Sequence, residues 1–248
     1  MGSNRTGIKA SPVDSKKTIE GAVAGTPDQR AQLDGAALQA MRRDMSVSAE
    51  PVGSMPPPAT LKGAAKTAIK ALQGEHANVF LDQLGARLAF ERTGVRLYEA
   101  LLIKLEGAHV HEGGPTREDL EEIRDEELEH MHLVRRAMER MGADPTAMTP
   151  MADIQAAESM GILKVLTDPR TTLTQALDAI LVAELADTDS WTMLCAMAEK
   201  LDQDDLAEEF RQALAEEQDH VARVRQWVSA ALLGQAGVKP TAAQQVPP

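Results

Sequence analysis

Two copies of one short pattern constrain this chain more than anything else in it: Glu126-Glu127-Leu128-Glu129-His130 near the middle and Glu216-Glu217-Gln218-Asp219-His220 near the end. Each contains Glu-x-x-His, which on a helix puts a carboxylate and an imidazole on one face, a single turn apart. A lone acid inside an otherwise apolar helical stripe precedes each copy at a nearly equal separation, Glu91 ahead of Glu127 and Glu184 ahead of Glu217. Four carboxylates and two imidazoles so spaced describe a two-metal site inside a four-helix bundle.

Composition agrees with a helical chain. Hydrophobic residues make up 43% of the 248, enough for a real core. Ala, Leu and Met are plentiful, and the few aromatics are Phe80, Phe90, Tyr98, Trp191, Phe210 and Trp227. An all-α fold with an aliphatic core is expected. The net charge of −12 would repel a phosphate backbone, so no nucleic-acid partner is expected. A single cysteine, Cys195, excludes an internal disulfide and a four-thiolate iron site. The best apolar run, Ala179 to Ala183, stops at Glu184, far short of a bilayer span, and the N-terminus has no secretory pattern. The expectation is a cytoplasmic protein with no membrane partner.

Residues 1–60 mix Gly, Ser, Pro, Gln and both charges and culminate in Pro51-Val52-Gly53-Ser54-Met55-Pro56-Pro57-Pro58. Such a segment buries too little apolar surface to offset its ordering entropy, and reads as a disordered arm with a transient helix over Gln29 to Met45. Residues 61–77 contain a short amphipathic helix, Leu61 to Leu72, with Lys62, Lys66 and Lys70 on one face. A four-helix bundle over 78–233 follows, its helices at about Asn78 to Leu105, Thr116 to Met141, Thr172 to Leu201 and Asp204 to Leu233. Thr116 with Asp119 forms an N-terminal capping pattern, and Gly107, Gly142 and Gly234 are expected helix terminators. Between the second and third helices, 143–170 make a long crossover with a short helix from Ala152 to Leu166. Residues 234–248 read as a flexible tail.

The two halves repeat. Glu91 aligns with Glu184 and Tyr98 with Trp191; Glu126, Glu127, Glu129 and His130 align with Glu216, Glu217, Asp219 and His220. Four acids converging in a bundle repel one another unless cations or protons compensate, and two divalent ions supply the matching charge. Carboxylate oxygens and imidazole nitrogens suit iron or manganese. Glu127 and Glu217 are placed to bridge two metals and to carry the chemistry, His130 and His220 to bind one each, and Glu91 and Glu184 to complete the outer positions. Tyr98 and Trp191 read first as core, Glu129 and Asp219 as solvent-facing, and Cys195 as a buried, inert thiol. The alternative Glu-x-x-His at Glu129 and His132 is out of phase with the second copy.

On Glu91, Glu127-x-x-His130, Glu184 and Glu217-x-x-His220, the region 78–232 resembles the ferritin-like di-iron superfamily, with rubrerythrin and bacterioferritin nearest by motif. That resemblance implies two Fe ions in a ferritin-like antiparallel bundle. By analogy with rubrerythrin, it also implies a further metal-binding carboxylate at Asp187, one turn after Glu184. The chain lacks the four-cysteine module that supplies electrons in rubrerythrin, so an external electron donor is implied. Its long arm and crossover depart from bacterioferritin, and a homodimer is expected in place of a storage shell. The activity implied is oxidation of Fe(II) by O2 or peroxide, or peroxide reduction. The manganese catalases, similar in their bundle, leave two Mn ions and peroxide dismutation as an alternative. A scaffold protein working through its arm is a further one.

Overall fold

The computed structural model describes residues 35–49 and 76–238. The chain divides into two units, Met1–Pro51 and Val52–Pro248. Of the first, Gly35–Ser48 is a helix, α1, with no buried residue. The rest of the expected arm, the Leu61 to Leu72 helix and residues 239–248 lie outside the described residues. All regular structure in the described residues is helical.

Among the described residues of the second unit five helices follow one another: α2 (His76–Glu106), α3 (Arg117–Arg140), α4 (Pro150–Thr167), α5 (Leu173–Lys200) and α6 (Asp204–Gln235). Their starts are written locally. Thr116 accepts from the Asp119 N–H while Asp119 accepts from the Thr116 N–H, and Thr172 and Gln175 make the same reciprocal pair ahead of α5. Thr149 caps α4 with Pro150 in the first turn, where a missing N–H costs nothing. Gly142, at φ 79°, lets the chain leave α3. Gly234 has a different role from the expected one. The helix runs past it to Gln235, and the chain turns at Gly237, φ 68°. A Cβ at Gly234 would meet the His111 ring at 2.6 Å, so the residue is small because a loop packs on it.

The connection after α3 is an ordered helix longer than the expected one. Near one end of α4, the Thr149 hydroxyl donates to the Asp82 carbonyl at 3.2 Å and the Met151 N–H to the Asp82 carboxylate at 2.9 Å. Near the other, Lys104 Nζ donates to the carbonyls of Asp168 and Thr171, both at 3.0 Å. These contacts make α4 parallel to α2. Because α3 and α5 both run antiparallel to α2, the chain has to travel the length of the helices between them, and α4 covers that distance.

Two apolar clusters fill the interior. Phe80, Leu84, Val134, Met138, Trp191 and Phe210 belong to one. Leu97, Tyr98, Leu120, Ile123, Leu177, Ile180 and Val224 belong to the other. The core is aliphatic in bulk, yet its largest fully buried side chains are Trp191, Tyr98, Phe80 and Phe210. Each such burial contributes on the order of 1.5–3 kcal/mol. Among the described residues no helix is long and apolar enough to cross a membrane.

Candidate metal centre

Between those two clusters, four helices turn acids and imidazoles inward. Glu91 comes from α2, Glu127 and His130 from α3, Glu184 and Asp187 from α5, and Glu217 and His220 from α6. None of the seven is more than 2% exposed. The structure brings all of them together. Ligand-type atoms of Glu127, Glu184, Glu217 and His220 lie within 4.8 Å of one another, as do those of Glu91, His130 and Glu217, and those of Glu91, Glu127, Asp187 and Glu217. Glu217 belongs to all three groups, and Glu91 and Glu127 to two each.

Whether these residues fit a metal pair can be judged from their unsatisfied atoms. Both carboxylate oxygens of Glu91 and of Glu217, one oxygen each of Glu127, Glu184 and Asp187, and Nδ1 of both histidines are buried without a well-formed hydrogen bond, their contacts being the charged ones to Arg87 and between the imidazoles and carboxylates. Buried polar atoms are nearly always paired, so this concentration of acceptors needs compensation by protons or by cations, and it could hold a metal ion. Oxygen with imidazole nitrogen is a donor set for iron or manganese. The buried Arg87 guanidinium offsets one of the five carboxylates, and the remaining four negative charges match two divalent ions.

The two histidines are held in a reciprocal exchange between helices. His130 Nε2 on α3 donates to Glu216 on α6 at 2.7 Å, and His220 Nε2 on α6 donates to Glu126 on α3 at 2.8 Å. With Nε2 so engaged, Nδ1 of each ring faces the carboxylates: His130 Nδ1 lies 2.8 Å from Glu217, and His220 Nδ1 lies 3.5 Å from Glu217 and 3.6 Å from Glu184. An outer carboxylate of this kind fixes the ring and raises its basicity toward a metal. Sequence reasoning found Glu126 and Glu216 only as matched letters of the repeat. Their doubled presence ahead of each Glu-x-x-His was the available signal.

Four further neighbours surround these side chains. Arg87, one turn before Glu91, is 3% exposed and forms ion pairs with Glu91 at 2.7 Å and Asp187 at 2.6 Å. Tyr98 is core, as expected, and also donates its hydroxyl to Glu184 at 2.6 Å. Gly94, one turn after Glu91, faces Glu127 so closely that a Cβ there would overlap its carboxylate. Trp191 meets the His130 ring edge-on at a centroid distance of 5.5 Å.

Burial and mutual repulsion shape the protonation of the metal-free site. Burial, with Glu217, Glu91 and Glu184 close by, pushes Glu127 well above the usual carboxylate range. Burial would raise Glu217 too, but the imidazoles of His130 and His220 outweigh it and hold Glu217 at about 2. Burial alone would lower His130; the carboxylates of Glu216 and Glu217 reverse that and raise it to about 10. His220 is raised in the same way by Glu126, Glu184 and Glu217. In effect the metal-free site uses protons where the loaded site would use cations.

Other candidates lie elsewhere. The Glu129 and Asp219 side chains are 72% and 64% exposed, and His132, half-exposed, sits outside the cluster. Cys195 is buried among apolar side chains, and burial raises its thiol pKa. His109 and His111 pack edge-on against each other in the α2–α3 loop. A groove of about 570 Å³ between α3 and α6 reaches His130 and is lined by Glu122, Asp125, Glu126, Glu129, Glu209 and Glu216. Compared with family models, curated proteins and solved structures, the chain matches none.

Proposed function

We propose that this protein is a di-iron carboxylate oxidoreductase on a ferritin-like bundle, oxidising Fe(II) with O2 or peroxide, or reducing peroxide with electrons from an external donor. The observation that carries this reading is the convergence of seven buried ligand-type side chains whose ligand atoms lie within 4.8 Å of one another in three overlapping groups. The order of the helices, with α4 spanning the gap between parallel α3 and α5, supports the bundle. Glu127 and Glu217, shared between ligand groups, would bridge the metals; Glu91 with His130, and Glu184 with His220, would serve one metal each. Two such ions supply paired one-electron changes and a coordination position for a small oxidant. The chain's own groups do the rest. Glu126 and Glu216 orient the imidazoles, Tyr98 holds Glu184, and the acidic groove between α3 and α6 raises the local concentration of cations at a face where His130 is approached.

Elemental analysis of the native protein beside a Glu127→Ala, Glu217→Ala double variant tests this. About two iron ions per wild-type chain, lost in the variant, with O2 or peroxide consumed when Fe(II) is added, is the expected result. Fewer than about one metal per chain, unchanged in the variant after reconstitution, would overturn it. Release of O2 from peroxide with no donor, by protein that takes up manganese, would assign the site to catalase chemistry instead.

A further inference from the structure

The repeat makes the two halves of the site near copies, which isolates where they differ. Glu91, Glu126, Glu127 and His130 answer to Glu184, Glu216, Glu217 and His220. The register that aligns Glu91 with Glu184 sets Arg87 against Ile180 and Gly94 against Asp187. The first half thus has an arginine where the second has a buried isoleucine, the second has an aspartate where the first has a glycine, and these two unmatched groups pair with each other at 2.6 Å.

Resting on the two-metal reading above, we infer that Arg87 is a built-in competitor for one of the two metals, so that the position served by Glu184 and His220 fills first and the position served by Glu91 and His130 fills second and more weakly. The guanidinium keeps its charge at any ordinary pH, so it cannot withdraw by losing a proton. Its Nε lies 2.7 Å from Glu91 Oε1 and its Nη1 2.6 Å from Asp187 Oδ1, and the Phe90 ring packs against it at 4.5 Å. A cation arriving there shares Glu91 with a fixed positive charge in direct contact, in a dry site where such contacts are weakly screened. On the other side no guanidinium contacts Glu184. Its Oε1 accepts a neutral Tyr98 hydroxyl, and its Oε2 faces His220 Nδ1 at 3.6 Å, an imidazole that can give up its proton when a metal binds. Asp187 balances the charge of Arg87 and is engaged by it, so it reaches a metal only when the guanidinium shifts.

The test is a titration of the metal-stripped full-length protein with Mn(II), followed by calorimetry and by the electron paramagnetic resonance of free and bound ion. Two steps separated by at least about tenfold in affinity are expected, roughly 1.4 kcal/mol. Glu184→Gln should abolish the tight step, and Glu91→Gln only the weak one. The double variant Arg87→Ile, Asp187→Gly makes the two halves match at both positions and removes both partners of the ion pair together, which leaves no orphaned charge. Its two steps should approach each other to within about threefold, with its cooperative urea unfolding retained. Two equal steps in the wild type, or loss of the tight step in Glu91→Gln, would overturn the inference while leaving the two-metal reading standing. Absence of any Mn(II) or Fe(II) binding would overturn both.

Discussion

The Tyr98 hydroxyl on α2 donates to Glu184 on α5 at 2.6 Å, joining two helices through a residue that the apolar stripe alone makes look like core. Both groups are at most 2% exposed. Tyr98→Phe keeps the ring and leaves Glu184 Oε1 without its donor. The metal-free variant should lose about 1–3 kcal/mol of stability in urea. An unchanged midpoint would show that the contact contributes nothing.

Gly94→Ala sets two effects against each other. Helix propensity favours alanine by about 1 kcal/mol in a helix interior. The new methyl, however, would overlap the Glu127 carboxylate, which is packed in the centre of the site. The clash should win, so the variant is expected to bind less metal per chain than wild type. A variant that is more stable and fully loaded would contradict the close approach.

Replacing either outer carboxylate should weaken metal binding without removing a ligand. Glu216→Ala frees the His130 ring and Glu126→Ala frees His220. Each is expected to cost about 10–100-fold in metal affinity. Because the partners cross between α3 and α6, Glu216→Ala should perturb the metal on His130, and Glu126→Ala the one on His220. Spectra of singly loaded protein distinguish the two.

The metal-free protein should be most stable in mildly acidic solution. His130 has its pKa raised in the fold from 6.5 to about 10, so the stability it contributes is full below pH 6.5 and fades as pH rises toward 10. Glu217 has its pKa lowered from 4.5 to about 2, so its contribution is present above pH 4.5 and fades as pH falls toward 2. Metal binding needs neutral imidazoles and ionised carboxylates, so loading should release protons and tighten as pH rises. Urea midpoints across pH, with and without Mn(II), check both slopes. A metal-free midpoint that climbs steadily from pH 6.5 to 10 would contradict the assignment.

Much of the site was legible before any coordinates. Glu91, Glu127, His130, Glu184, Asp187, Glu217 and His220 were all named from spacing, repeat or resemblance, and all seven are buried in one place. Helical periodicity is a local property, so an acid in an apolar stripe announces which way it faces. The caps at Thr116 and Thr172 were legible for the same reason, since the bonds they make span three residues. What escaped notice was non-local. Arg87 stood one turn from Glu91 in the sequence, but its second partner, Asp187, is on another helix.

The helices, their inward faces and the doubled Glu-x-x-His follow from a period of 3.6 residues and from a pattern written twice, so they can be read along the chain. The exchange of outer carboxylates between α3 and α6, the parallel course of α4 and α2, and the inequality that a buried guanidinium gives the two halves emerge in the folded chain alone. Those relationships depend on the distance and rotation between helices. Packing sets both, and no spacing along a single helix encodes either.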